Sequence, residues 1–305
     1  MSAPAAALAR IALLGCGEVG QTLAEDLSAA GVRDLRAWDR LFPDPSSAPR
    51  QAMARLPAVR TAASLAEAVC GCTLIVSAVT AGQCLEAARE AARALAPQAF
   101  YFDLNSVSPG TKREAASLVT AAGARYVEAA VMSPIAPRRI AVPMLIGGTH
   151  AREFAPLAQA LGFTGVEVFN TQVGLASAAK MCRSVLIKGF EALLCESLLA
   201  ARRQGVLEAV LPSLTDLFPG TDWERTARYF ISRSALHGAR RAEEMREAAR
   251  AVAETGIEPV MSLACAKRQE WAAAHRPAGE TGELIRLLDA LLESVPTPDA
   301  TLENA

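Results

Sequence analysis

The 305-residue chain carries 31 Lys and Arg against 32 Asp and Glu, for a formal net charge of −1, and is 51% hydrophobic. That length exceeds what one hydrophobic core usually organises, so two domains are expected. The balanced charge removes the cationic face that nucleic acid or an acidic membrane requires, so neither is expected as a partner.

Seven cysteines, an odd number without metal-ligand spacing, predict reduced thiols in a cytoplasmic protein rather than a disulfide framework. No metal site is expected; His150, His237 and His275 are too dispersed to gather around an ion. The Ala-rich N-terminus runs into a glycine-rich turn rather than a leader cleavage site. Charges interrupt every later apolar stretch before the ~18 to 20 residues of a membrane span.

Taken in order, apolar runs predict strands over 10–14, 35–39, 73–78, 99–104, 125–131, 143–146 and 166–169. Helix-length stretches over 20–30, 83–95, 110–122 and 152–161 lie between most of them. Apolar strands alternating with helices predict a mostly parallel sheet covered on both faces. After Asn170 the pattern changes. One long helix is predicted over 173–204, then helices over 206–218, 223–238, 239–255, 259–275 and 280–292, with a frayed tail after Ser294. The domains expected are therefore 1–171, α/β, and 172–305, all-α.

The first strand runs directly into Gly15-Cys16-Gly17-Glu18-Val19-Gly20, which opens a helix, and Asp39 closes the next strand 24 positions after Gly15. A glycine triplet alone is weak; between strand and helix, with an acid at that distance, it is the fingerprint of a Rossmann dinucleotide site. Gly15 permits the tight turn, Gly17 lets backbone approach a pyrophosphate, and Gly20 lets helix pack on strand. The helix N-terminus offers free N–H groups to the phosphates. Asp39 accepts from ribose hydroxyls and repels a 2′-phosphate, favouring NAD; the adjoining Arg40 softens that preference, leaving NADP possible.

Two further segments carry chemistry. After the strand over 99–104 come Asn105-Ser106-Val107-Ser108-Pro109 and a new helix. Ligands of open parallel sheets bind beyond the strand ends. Asn105 and Ser106 therefore either hold a substrate carboxylate or belong to an ordinary capped turn. In the long helix, Lys180, Ser184 and Lys188 are spaced i, i+4, i+8 and share one face. Apolar neighbours desolvate Lys180 and depress its pKa toward a value suited to proton transfer; alternatively it snorkels to solvent. Lys188 is expected to snorkel or to pair with Glu191 and Glu196.

These motifs resemble the β-hydroxyacid dehydrogenase family related to 6-phosphogluconate dehydrogenase, in a branch with its own C-terminal domain. The order is that of the family: Gly15–Gly20, then Asp103-Leu-Asn-Ser-Val-Ser-Pro109, then Ser133-Pro-Ile, then Gly174 through Lys180 to Ser184. The resemblance implies that Lys180 is the general acid/base and that Asn105, Ser106, Ser133 and Ser184 contact substrate. It places Val79 and Thr80 near the nicotinamide. Asn105, Pro134-Ile135 and Ser184 depart from the residues usual at those positions. His237, Arg240 and Arg241 either supply a cation to an acidic substrate or form a solvated basic face.

The expected protein is an NAD(P)-dependent oxidoreductase acting on a hydroxy acid, with the active site between the two halves. The alternatives are an imine reductase, against which Lys180 argues, and a non-catalytic dinucleotide sensor. A homodimer joined through the helical domain is expected, because the Ala-rich apolar faces of the long helix from Val173 exceed what one small bundle covers.

Overall fold

The computed structural model describes residues 9–216, 218–276 and 282–295. The expected N-terminal Ala-rich stretch before Ala9 and the tail from Pro296 lie outside the described residues. The chain divides into two compact units, Met1–Met181 and Cys182–Ala305. Among the described residues no helix is long and apolar enough to cross a membrane.

The first unit contains β1 (Arg10–Leu14), α1 (Glu18–Ala29), β2 (Asp34–Trp38), α2 (Ala48–Ala54), β3 (Val59–Thr61), α3 (Leu65–Val69) and β4 (Leu74–Ser77). It continues through α4 (Cys84–Ala92), β5 (Phe100–Asp103), α5 (Pro109–Ala121), β6 (Arg125–Val131), β7 (Met144–Gly147), α6 (Ala151–Ala160) and β8 (Val166–Asn170). The strands form one sheet in the order β3-β2-β1-β4-β5-β6-β7-β8, parallel throughout except for the antiparallel β6·β7 pair. Alternate residues of β1 explain the two covered faces: Ile11 and Leu13 enter one core cluster, Ala12 and Leu14 the other.

Register fixes where chemistry can occur. Trp38 pairs with Leu14, Leu14 with Ser77, Ser77 with Asp103, and Asp103 with Glu128. The loops leaving β1, β4 and β5 therefore emerge side by side from the carboxyl edge of the sheet. The strand order reverses between β1 and β4, the switch point at which open α/β sheets bind ligands.

A long helix, α7 (Leu175–Arg203), starts in the first unit and runs into the second. The second unit goes on with α8 (Leu207–Ser213), α9 (Trp223–Ala253), α10 (Val260–Ala274) and α11 (Leu284–Glu293). Leu194, Leu198, Ile231, Leu287, Leu288 and Leu291 meet in its core. The described residues of this unit contain no strand, in keeping with the all-α pattern of the sequence.

Three local expectations are corrected. The helices over 223–238 and 239–255 are one helix, α9. Gly238 lies inside it, where α9 meets α10: a Cβ there would stand 2.2 Å from the Gln269 carbonyl oxygen. Lys188 pairs with Glu244 at 2.9 Å, whereas Glu191 pairs with Arg241 and Glu196 with Arg268. Arg241 is held in a buried ion pair with Glu191 rather than on a solvated basic face, and Gln269 Nε2 adds a 3.4 Å contact to the same carboxylate. Burial pushes the Glu191 carboxyl up, and Arg241 and Lys188 pull it back.

Breaking one side of a buried ion pair leaves a bare charge in the core. Arg241→Ala is expected to destabilise the second unit by about 3–5 kcal/mol, whereas Arg240→Ala, at an exposed position, changes stability by less than about 0.5 kcal/mol. Chemical denaturation of the two variants followed by circular dichroism checks this.

Candidate functional site

The glycine turn meets the steric demands expected of it, each for a separate reason. Gly15 has φ +87°, a conformation that favours glycine, and a Cβ there would lie 2.5 Å from the Ala78 carbonyl oxygen. A Cβ on Gly20 would lie 2.0 Å from the Gly15 carbonyl oxygen, so α1 can pack on its strand only with glycine at that place. Gly17 is different. Its φ is −72°, and a Cβ would meet nothing within 4 Å. The protein itself has no need of glycine there. The open space lies at the N-terminus of α1, where no side chain caps the free amides, and a dinucleotide pyrophosphate fits such a place. Glu18 and Val19 form the exposed and half-buried start of that helix.

Asp39 closes the turn from the side. Its Oδ2 accepts a 2.8 Å hydrogen bond from the Cys16 amide and its Oδ1 a 2.9 Å bond from the Leu41 amide. The carboxylate is thereby fixed beside the glycine turn, with remaining lone pairs for another donor. Burial and the Asp39 charge push the neighbouring Cys16 thiol well up, so it stays protonated and inert. Arg40 is exposed.

Beyond β5, the chain is held by a buried charge pair that sequence reasoning missed. Lys112 donates to an Asp103 carboxylate oxygen at 2.9 Å and to the Asp103 carbonyl at 2.8 Å, and both side chains are buried. Asp103 also accepts from the Tyr126 hydroxyl at 2.6 Å and from the Asn105 amide at 2.9 Å. With burial and the Asp103 charge, the Tyr126 hydroxyl is pushed well above its ordinary pKa. The pairing of a charge on β5 with one nine positions later becomes visible only once α5 folds back over the strand end.

Asn105 is turned inward. It is 3% exposed, its oxygen accepts from the Val79 amide at 2.8 Å, and its amide donates to Ser77 Oγ at 3.0 Å. Its side chain ties the β5 loop to the β4 loop. Val79 is thus positioned from the side, with Thr80 exposed next to it. Ser108 caps α5 through the Thr111 amide, as a capped turn requires.

Ser106 is left as the half-buried hydroxyl of this loop, and Lys180 reaches it. Lys180 Nζ donates to Ser106 Oγ at 2.5 Å. One turn earlier on α7, the Ser177 hydroxyl donates to the Val107 carbonyl. These two bonds, 74 and 70 positions apart in sequence, place the amine at the carboxyl edge of the sheet rather than in solvent. The other two predicted contact residues are not brought to this amine by any described hydrogen bond. The Ser133 hydroxyl turns to its neighbour's carbonyl, Pro134 O, at 3.4 Å, and both residues are exposed. Ser184, in the second unit, is buried and accepts from Lys188 at 3.1 Å.

Residues 10–174 match the family model of the NAD binding domain of 6-phosphogluconate dehydrogenase. The chain belongs to that family. Residues 201–272 match a second model, described as a domain of unknown function. A conserved hypothetical protein from Sinorhizobium meliloti 1021 is 37% identical, with 93% of this chain and 95% of that one covered and a TM-score of 0.74. A conserved protein of unknown function, described as structurally similar to 3-hydroxyacid dehydrogenases, is 33% identical over 93% of this chain and 98% of its own, with a TM-score of 0.68. The fold is also that of 3-hydroxyisobutyrate dehydrogenase from Mycobacterium tuberculosis, solved with L-serine: 20% identity, 93% and 99% coverage, TM-score 0.67.

The family match takes in Gly15, Gly17, Gly20, Asp39, Val79 and Ser106 and ends at Gly174. Lys180 stands just beyond it. The turn itself gives a discriminating outcome. Gly17→Ala is expected to keep stability within about 0.5 kcal/mol while weakening binding of the nicotinamide dinucleotide about tenfold or more. Gly20→Ala is expected to cost about 1–3 kcal/mol or more of stability through overpacking. Thermal melts paired with NADH fluorescence titrations separate the two effects.

Proposed function

We propose that the protein is an NAD(P)-dependent oxidoreductase interconverting a hydroxy acid and its oxo form, with Lys180 as general acid/base. The observation that carries the reading is the 2.5 Å hydrogen bond from Lys180 Nζ to Ser106 Oγ beside the loops of the glycine turn and Val79. A lysine that only snorkelled would extend to water. This one is directed to a hydroxyl at the carboxyl edge of the sheet.

Gly15, Gly17, Gly20 and the free amides opening α1 would hold the dinucleotide, and its nicotinamide supplies or accepts the hydride. Asp39, steadied by two amides, offers its remaining lone pairs to ribose hydroxyls and disfavours a 2′-phosphate, which supports NAD; exposed Arg40 beside it favours NADP. Ser106 occupies the position of a substrate hydroxyl's neighbour, accepting from Lys180 and free to donate its own proton onward. In oxidation, neutral Lys180 takes the substrate hydroxyl proton at Nζ. In reduction, the ammonium returns it. Asn105 acts through Val79 and the β4 loop rather than on the substrate. Ser133 and Ser184 remain proposed substrate contacts on the resemblance alone.

The same chain is proposed to work as a homodimer through its helical unit. Support comes from α7, where Leu186, Ile187, Phe190 and Leu193 form an apolar stripe whose Leu186 and Leu193 expose 69% and 56% of their surface. Sedimentation at micromolar concentration is expected to give twice the chain mass; a monomer there contradicts the assembly.

Catalysis has its own test. Screening hydroxy acids, sugar acids and imines by NAD(P)H absorbance is expected to find turnover with a hydroxy or oxo acid. Lys180→Ala is then expected to lower that turnover by a factor of ~10² to 10⁴, as for a lost acid/base, with NADH affinity nearly unchanged. Undiminished turnover in that variant removes Lys180 from the chemistry.

A further inference from the structure

Glu128 is fully buried on β6, directly opposite Gly147 of β7. A Cβ at Gly147 would stand 2.6 Å from Glu128 Oε1, so glycine at that strand position is what leaves the carboxylate its space. Oε1 accepts hydrogen bonds from the Gly174 amide at 2.8 Å and the Ala176 amide at 3.2 Å. Both amides belong to the N-terminus of α7, which starts at Leu175.

Helix starts leave amides without intrahelical partners, and a Ser, Thr, Asp or Asn normally accepts from them. Here the residue before the helix is Gly174, at φ +102°, which has no side chain to offer. The acceptor comes instead from a strand residue 46 positions earlier. A carboxylate in that place also meets the positive end of the helix dipole.

The arrangement is costly. Burial pushes the Glu128 carboxyl up, against the pull of Lys112 and the amides of Gly174, Ala176 and Ser177. Its second oxygen, Oε2, is buried with no hydrogen-bond partner among the described residues. A glutamate kept only to fill space would be replaced by an apolar side chain at lower cost.

What the cap holds is the turn that carries the chemistry. Ser177 follows Ala176 and donates to Val107 O; Lys180, one turn on, donates to Ser106 Oγ. We propose that Glu128 is a positioning residue for Lys180: its buried carboxylate fixes the start of α7 and so sets the register between the Lys180 amine and Ser106. The importance of that register rests on the reading of Lys180 as acid/base, but the register itself is measured without turnover.

Full-length wild type, Glu128→Ala, Glu128→Gln and Gly147→Ala are compared by two mass-spectrometric readouts: amide hydrogen exchange over 174–180, and the rate of Lys180 modification by acetic anhydride across pH, with exposed Lys267 as internal reference. In Glu128→Ala, exchange of the first-turn amides is expected to accelerate about tenfold or more. Lys180 modification is expected to change about threefold or more, with its pH dependence displaced, while Lys267 modification and NADH binding stay as in wild type. Glu128→Gln retains an acceptor oxygen and is expected to restore most of both properties. Where Glu128→Ala does not fold, Gly147→Ala, which pushes the carboxylate off its amides without touching it chemically, is expected to give the same two changes. A folded Glu128→Ala or Gly147→Ala protein with wild-type Lys180 reactivity at every pH overturns the proposal. A wild-type result for Lys180→Ala turnover would instead overturn the catalytic reading and leave the positioning result standing.

Discussion

One hydrogen bond, from the Lys180 amine to the Ser106 hydroxyl, joins the start of the long helix to the loop beyond β5. A hydrogen bond is worth about 0.5–1.5 kcal/mol net, or about 1.5–3 kcal/mol where one partner is charged. Immobilising a lysine side chain costs about 1.5–2 kcal/mol. The two nearly cancel, so the contact cannot organise its surroundings. Its surroundings have to organise it. On the Ser106 side, the Asp103–Lys112 pair and the Asn105–Val79 bond fix the loop; on the Lys180 side, Glu128 and Ser177 fix the helix. Buried charge is spent on holding both ends of a contact that is itself only half-buried.

The parallel register makes this economical in space. Because Leu14, Ser77, Asp103 and Glu128 align across four strands, the glycine turn, the Val79 loop and the Ser106 loop share one edge. The same row carries two buried carboxylates, Asp103 and Glu128, with different tasks. Asp103 is neutralised by Lys112 and anchors the beginning of its own loop, whereas Glu128 caps a helix far along the chain. Under the proposed function, preorganisation of this kind gives the proton-transfer group a defined place before any substrate arrives, and small displacements of such groups are costly to rate.

Much of the first unit was legible in the sequence because its signals are local. Apolar runs mark the strands, and the spacing from Gly15 through Gly20 to Asp39 marks the turn. The three-residue strand β3 and the short helices α2 and α3 were not, since runs that brief carry no periodicity. Gly238 misled in the opposite direction: a glycine reads as a helix stop, yet here it serves a close contact with α10 that sequence does not reveal. Motif order and helix spacing single out Lys180 and Ser106, and the structure joins the two by a hydrogen bond. The inward turn of Asn105 was not foreseen, and neither were Lys112 and Glu128, because their partners are set by strand register and helix placement. A buried glutamate that caps a distant helix looks, in one dimension, like any surface charge.

In the proposed function the Lys180 amine faces the reacting end of a bound dinucleotide. A crystal structure of the protein with NADH measures this directly. Lys180 Nζ, still bonded to Ser106, is expected within ~5 Å of the nicotinamide C4, close enough to reach a substrate hydroxyl held between them. An amine turned to solvent, or separated from that carbon by ~10 Å or more with the ring well ordered, contradicts it.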